Sequence, residues 1–459
     1  MKSFRLKDGV FFVKGALNGA LLDTTTGNVY SINQIAVSII TKEKENQEYW
    51  EKLIQMKLAE ECSVASSLPD IPRMSSISLK FVWFEIISND CNESCIHCYA
   101  ESMPPSHRKA LGLVDISGEN KTKLKLTYAD WVKYIQEAYD LGCRRCQFIG
   151  GEPFVYKEGD KTVLDLASFA KEIGYEFVEI FTNATLLTHE KIDRIKRLNL
   201  NVAVSLYSHD PQIHDSITQT PGSHSRTVQN LKSLKLAGVK TRVEIVIMKQ
   251  NQNTIEETQI LIKDIGFSGK HPDPIRPKGR GDNLSIRPDP EKTVEYGYMT
   301  KPNFTANKNT IAHYSKGHSC LAGKITLTDS GDILPCIFSR NHIIGNVLKV
   351  ASLESILLSE AMQQVWNTTK DSVLVCRDCE YRYVCFDCRP LSEAAASGNS
   401  DYMHAPYPRC THNPYTGEWA KGTWRVNEKG EPWYDRSIEP IINMVIEKRG
   451  FKSTQPSGH

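Results

Sequence analysis

The sequence predicts an α/β protein: a partial, open (β/α)6 TIM-like barrel between a small N-terminal module and a cysteine-rich C-terminal region. Three observations lead to it. Strand and amphipathic-helix patterns alternate about six times between residues 78 and 290, short of the eight units of a closed barrel. Cysteine- and glycine-bearing segments stand just after strand patterns, where such folds place their ligands. A chain of 459 residues, 40% hydrophobic, is long enough for roughly two to four domains.

The elements follow in order. Residues 1–70 read as a separate module. FFVKG, GALLDTTTG and NVYSIN are short strand patterns with a hairpin turn at Thr26-Gly27-Asn28, and helical patterns follow at 34–40 and 48–61. SSLPDIPRMSS is a linker. Barrel strands are expected at 82–87, 145–149, 177–181, 202–206 and 242–248, with a sixth at 274–277. One helix runs through TYADWVKYIQEAYDLG, opening with Thr127 and Asp130 at capping-box spacing and ending at Gly142. Others are expected near 163–173, 190–198, 227–237 and 255–265, so the barrel spans 78–305. Segment 103–125 is polar and aperiodic, a lid or an insertion. Residues 310–415 are loop-rich and cysteine-dense, and 416–459 form a tail carrying Trp419, Trp424 and Trp433.

Charge and composition exclude several classes. A net charge of +2 offers no basic surface for nucleic acid. There is no signal-peptide pattern and no run of about 18 apolar residues, so no membrane partner and a cytoplasmic location are expected. Thiols stay reduced there, and clustered cysteines bind metal rather than pair.

Ten of the 13 cysteines form two groups. Cys91, Cys95 and Cys98 make a C-x3-C-x2-C set in CNESCIHC, directly after the first barrel strand. Three thiolates hold a [4Fe–4S] cubane with one iron open to a non-protein ligand. A zinc knuckle with His97 as fourth ligand, or three buried free cysteines, is the alternative on spacing alone. The second group is Cys320, Cys336, Cys376, Cys379, Cys385, Cys388 and Cys410, with two C-x2-C pairs that suit zinc or iron–sulfur. Cys143 and Cys146 sit where a helix runs into a buried strand and read as core residues.

CNESCIHC after the first strand, with Gly150-Gly151-Glu152-Pro153 after the second, resembles the radical S-adenosylmethionine (SAM) enzymes. In that family the GGEP segment receives the amino group of the SAM methionine. The glycines would let backbone approach a ligand, and Glu152 would offset an ammonium or sulfonium charge. Phe181-Thr182-Asn183-Ala184-Thr185-Leu186 is similar to the family's TNGTLL-like segment, and Ser205 in AVSLYS stands where the family often places a ribose- or methionine-contacting residue. The resemblance therefore implies Gly150, Gly151, Glu152, Pro153, Asn183 and Ser205 as SAM-binding residues. His214-Asp215 with Pro221-Gly222-Ser223 looks like a segment of the peptide-modifying branch, while Arg276 and Arg280 read as a solvated turn.

The later cysteines, spaced C-x10-G-x4-C, then C-x2-C-x5-C, then a lone cysteine, resemble the SPASM extension of these enzymes, which implies two auxiliary [4Fe–4S] clusters. The family's partition puts Cys376, Cys379, Cys385 and Cys410 on one cluster and Cys320, Cys336 and Cys388 on the other. Two residues, Phe386 and Asp387, separate the last pair where the family usually has three. No cysteine lies between Cys146 and Cys320, so the fourth place of the second set is open or taken by Asp387, His318 or a substrate group.

The N-terminal module is similar to winged-helix-like (PqqD-like) peptide-recognition domains, which dock a leader peptide by strand addition. The resemblance implies an enzyme that makes a 5′-deoxyadenosyl radical and installs a cross-link or other change in a ribosomally synthesised peptide. Its partners would be a precursor peptide with its leader and an electron donor such as flavodoxin or ferredoxin. Segment 103–125 would cover the radical. A sulfatase-maturing enzyme is the alternative within the superfamily, but those enzymes carry Asp after the cysteine matching Cys336, and here Ile337 stands there. From another class, a non-catalytic zinc-binding adaptor is the alternative.

Overall fold

The computed structural model describes residues 3–63, 67–113, 125–396 and 402–449. They form two compact units, one of Met1–Ile77, Tyr298–Ala322 and Gln364–His459, the other of Ser78–Gly297 and Gly323–Gln363. Positions 114–124 of the expected covering segment lie outside the described residues.

In the first unit, β1 (Ser3–Leu6) pairs with β5 (Ala59–Cys62), and β2 (Val10–Lys14), β3 (Gly19–Asp23) and β4 (Val29–Ile32) form an antiparallel meander. Asp23 builds the β3–β4 turn by accepting from Thr25 N and Thr26 Oγ1. Helices α1 (Gln34–Ile40) and α2 (Gln47–Gln55) begin at Asn33 and Asn46, whose side chains cap the first turns. Strand alternation then divides the apolar residues. Val10 and Leu21 face Val37, Ile40, Trp50 and Leu53. Phe11, Val13, Ala20 and Leu22 face the other way, against Tyr381, Tyr383 and Val384 of the cysteine-rich segment. With both faces covered, all five β3 residues are buried.

The second unit is built on parallel strands. β6 (Phe81–Ile87) is followed by α3 (Pro105–Ala110), α4 (Tyr128–Asp140) and β7 (Arg145–Gly150). A small hairpin, β8 (Lys157–Glu158) and β9 (Lys161–Thr162), leads into α5 (Val163–Glu172). Then come β10 (Phe177–Thr182), α6 (His189–Arg197), β11 (Asn201–Ser205), α7 (Pro211–Thr218), α8 (Ser223–Leu236) and β12 (Lys240–Glu244). The Thr127–Asp130 capping box at α4 is present in both directions. Phe84, Phe148 and Trp131 pack as the core between sheet and helix, with ring centroids 5.6 Å and 6.2 Å apart. Cys143 and Cys146 are buried in that core.

Two strands differ from expectation. The run at 242–248 breaks at Ile245, and β13 (Val246–Ile247) pairs separately with β14 (Asp273–Pro274). The strand expected at 274–277 shrinks to β14, because Pro274 and Pro277 lack the N–H groups a ladder needs. After α9 (Ile255–Ile265), the sixth parallel strand of the main sheet comes from beyond residue 320. β15 (Lys324–Thr328) pairs with β6 on the side away from β7, and β16 (Asp332–Leu334) and β17 (Gly345–Asn346) extend it antiparallel. The order is β12-β11-β10-β7-β6-β15-β16-β17. The result is an α/β unit, an open barrel-like sheet with helices outside. Among the described residues, no helix is long and apolar enough to cross a membrane.

Candidate active site

The cysteine loop leaves the C-terminal end of β6 and is pinned on every side. Cys91 N donates to Met103 O, and Arg108 closes the base by an ion pair to Asp90 at 3.0 Å. Ser94 N and Ile96 N donate to Thr218 O and Ile217 O at the end of α7. Asn92 and Asn183 join by a 2.9 Å side-chain hydrogen bond, and Asn92 Nδ2 also donates to Thr185 Oγ1 at 2.8 Å. Arg280 reaches in from the segment after β14: its Nε donates to Cys95 O at 2.9 Å and its Nη2 to Ser102 O at 2.7 Å. The turn read as solvated is therefore a clamp. Gly279 makes it fit, since a Cβ there would stand 2.5 Å from Tyr99 O and 2.7 Å from Cys98 O. A loop this constrained holds its thiols in place before any ligand arrives.

No disulfide joins Cys91, Cys95 and Cys98. Burial, then the carboxylate of Glu152, pushes the Cys91 thiol up, and burial, then Glu93, does the same to Cys95. Glu93 is buried with Oε2 3.6 Å from Cys95 Sγ, and burial followed by Glu152 raises its pKa to about 8. Negative groups crowd here, with Arg280 drawing the Cys95 thiol the other way, and positive iron would offset that crowding. A single zinc ion would draw sulfurs to about 3.8 Å from one another. Among the described residues, Cys91, Cys95 and Cys98 do not form a trio with ligand atoms within 4.8 Å. His97, the alternative fourth ligand, packs edge-on against Tyr207 at 4.7 Å, and burial lowers its pKa to about 4.

The GGEP segment touches the cysteine loop directly. A Cβ on Gly150 would stand 2.1 Å from Ile87 O, and one on Gly151 2.0 Å from Asp90 O. Gly151 N donates to Ile87 O at 2.6 Å. The glycines thus admit another stretch of chain, where the sequence reading had them admit a ligand. Glu152 is fully buried. Its Oε1 accepts from Phe154 N and Thr182 Oγ1, and its Oε2 from Asn183 N at 2.8 Å. The carboxylate ties the end of β7 to the end of β10. Pro153 opens a 3-10 turn after it. Gly150, Gly151, Glu152 and Asn183 therefore meet the cysteine loop or the strand end leading into it, and Ser205 ends β11 two residues before Tyr207. Asp215 accepts from Gly222 N, Ser223 Oγ and His224 N, which shapes the α7–α8 turn behind the loop.

Cys336 also belongs to the barrel unit. Phe338, two residues on, packs against Tyr99 at 5.0 Å, beside Cys98. In the other unit, Cys376, Cys379, Cys385 and Cys410 line one cavity together with Lys370, Arg382 and His412. Burial raises the Cys379 and Cys410 thiols, with neighbouring cysteines adding to it, and it raises Cys385 to about 11 against the pull of Lys370. Four thiols around one cavity suit a fully cysteine-ligated cluster. His412 and Glu380 flank Cys379, a pairing that sequence spacing did not reveal. Cys320 and Cys388 lie in this unit as well. His318 Nδ1 accepts from Cys320 N and Leu321 N, and its Nε2 lies 2.9 Å from Asp387 Oδ1. Asp387 is shared further with Lys370 and Arg389. Both side chains considered as a fourth ligand for Cys320, Cys336 and Cys388 are already engaged.

Comparison with known proteins agrees with this geometry. Residues 86–262 match the model of the radical SAM superfamily, and residues 320–380 match the SPASM iron–sulfur cluster-binding domain. The antilisterial bacteriocin subtilosin biosynthesis protein AlbA of Bacillus subtilis (strain 168) is 28% identical over 291 residues, 61% of this chain and 60% of that protein, so the chain spans less than two thirds of it. The AdoMet-dependent heme synthase of Methanosarcina barkeri is 25% identical over 354 residues, 71% of this chain and 94% of that protein. Streptococcus suis SuiB, in its structure bound to precursor peptide SuiA, shares the fold at 14% identity, with a TM-score of 0.52 over 86% of this chain and 97% of that one. The chain thus carries a radical SAM domain followed by a SPASM iron–sulfur cluster-binding domain, domains whose cofactors are SAM and iron–sulfur clusters.

Proposed function

We propose that this protein is a radical SAM maturase that modifies a ribosomally synthesised peptide in the cytoplasm. Cys91, Cys95 and Cys98 would hold the SAM-binding [4Fe–4S] cluster, with Gly150, Gly151, Glu152, Pro153, Asn183 and Ser205 forming the SAM side of the site. Cys376, Cys379, Cys385 and Cys410 would hold one auxiliary cluster, and Cys320, Cys336 and Cys388 three corners of another. Bound at Cys91, Cys95 and Cys98, the reduced cluster would supply the electron that cleaves SAM to methionine and a 5′-deoxyadenosyl radical. The chain's own part is to hold three thiols on a pinned loop, with Arg280 and the Asn92–Asn183 pair fixing its two sides. Residues 1–70 would dock the leader, 78–305 together with β15–β17 would form the catalytic barrel, and the cysteine-bearing rest of 310–415 would form the auxiliary domain, with a flavodoxin or ferredoxin supplying electrons.

The observation that carries the radical reading is the cysteine loop packed without clearance on Gly150 and Gly151. Support for a peptide substrate comes from AlbA, named for bacteriocin biosynthesis, and from SuiB, solved with a precursor peptide. The test is anaerobic reconstitution, reduction and assay with SAM and a peptide encoded beside the gene. The expected result is 5′-deoxyadenosine together with a mass change in the peptide. Replacing Cys91, Cys95 and Cys98 by Ala should abolish SAM cleavage. An iron-free zinc protein would overturn the radical reading. SAM cleavage across the neighbouring peptides with none of them altered would overturn the peptide reading alone.

A further inference from the structure

The loops bearing the C-terminal cysteines are cross-linked by a buried ionic group. Asp387, between Cys385 and Cys388, receives Lys370 Nζ at 3.0 Å, the Arg389 guanidinium, and His318 Nε2 at 2.9 Å. All four side chains are buried. Arg389 is spent on backbone as well, with Nη1 donating to Ala405 O at 2.7 Å, in the stretch before Cys410. Lys370 differs from Arg389 in one respect: it also lines the cavity of Cys376, Cys379, Cys385 and Cys410. One carboxylate is thus set against two fixed cations, and Lys370 is the one of the two that lines the cysteine cavity.

We propose that Lys370, held in place by Asp387, is a positioning residue that raises the reduction potential of the cluster bound by Cys376, Cys379, Cys385 and Cys410. The inference rests on the assignment of that cluster made above. Reduction adds one negative charge to a group already surrounded by thiolates. A cation fixed beside it in a medium of low dielectric stabilises the reduced form more than the oxidised one. The ion pair with Asp387 matters because a lone lysine in this cavity would lose its proton or swing away. The electron itself comes from the donor that reduces the enzyme.

The test is a reductive titration of the full-length reconstituted protein, followed by EPR, with iron counted per chain. Cys376→Ala identifies the cluster: it should remove one SAM-insensitive signal and about four irons. If it removes neither, the cluster assignment fails, whatever Lys370 does. If it removes both, Lys370→Gln and Lys370→Arg decide the inference. Lys370→Gln keeps a donor without the charge, and it should retain iron while that signal's midpoint moves to more negative potential. Lys370→Arg should restore the midpoint toward the wild-type value. An unchanged midpoint in Lys370→Gln at full iron content overturns the proposal. Loss of the cluster in Lys370→Gln with retention in Lys370→Arg supports the need for a cation beside these thiolates. Loss in both overturns it.

Discussion

Arg280 shows how much one side chain does at this site. It donates two hydrogen bonds from a charged group to Cys95 O and Ser102 O, 185 and 178 residues away in sequence. Each such bond contributes about 1.5–3 kcal/mol. Arg280→Met should therefore loosen the cysteine loop, and iron release to a chelator should quicken by roughly tenfold or more. Gly151→Ala is a harsher change. Its Cβ would stand 2.0 Å from Asp90 O, so the two chains must part, at about 2 kcal/mol or more. The expected readout is a lower melting temperature together with poor cluster retention. Glu152→Gln keeps the shape but gives Oε1 or Oε2 an amide facing the N–H groups of Phe154 or Asn183, so a drop in stability should accompany any loss of SAM binding.

Among the elements, the α7–α8 corner carries a pH dependence. His214 Nδ1 accepts from Tyr207 N at 3.2 Å, which requires a neutral ring, and burial followed by His224 holds its pKa at about 4. Groups packed around it include Asp215, which favours the charged form, and the rings of Tyr207 and His224. Unfolded, the same histidine titrates near about 6.5. Between these values the unfolded chain binds more protons, so the stability contribution is whole above pH 6.5 and is lost as pH falls toward 4. The loss is on the order of 3 kcal/mol. Urea midpoints at pH 7 and 4.5 should differ accordingly, and His214→Gln should flatten the difference. The cysteine loop hangs from the end of α7 through Thr218 O and Ile217 O, so the same acidification should weaken cluster retention.

Across the whole molecule, the N-terminal module is both sheet and cap. Phe11, Val13, Ala20 and Leu22 cover Tyr381, Tyr383 and Val384, which flank Cys379 and Cys385. Deleting residues 1–63 should expose this apolar face. The expected outcome is a fall of several degrees in melting temperature with dye binding to the exposed surface. A truncated protein with unchanged melting that had merely lost leader binding would make the module a pure recognition domain.

Much of the barrel and the loop of three cysteines was legible because the signals are contiguous. CNESCIHC and GGEP are each unbroken runs of at most eight residues, and the strand–helix alternation repeats the same physical pattern. The sixth sheet strand was not legible, since KITLT lies among loop-rich cysteines and only its register with β6 makes it a barrel strand. The Arg280 clamp, the Asn92–Asn183 pair and the Lys370–Asp387 group escaped for one reason: their partners are far apart in sequence, and hydrogen bonds of that kind leave no spacing to read. Residue type and local order by themselves determined the α/β class, three thiols after the first strand, and four later cysteines with cluster spacing. Only the tertiary structure decided that the glycines of GGEP admit a neighbouring chain, that Glu152 is a strut, and that the four cysteines share one cavity with a buried cation. Those outcomes depend on which surfaces exclude water together, and the chain must fold before that is set.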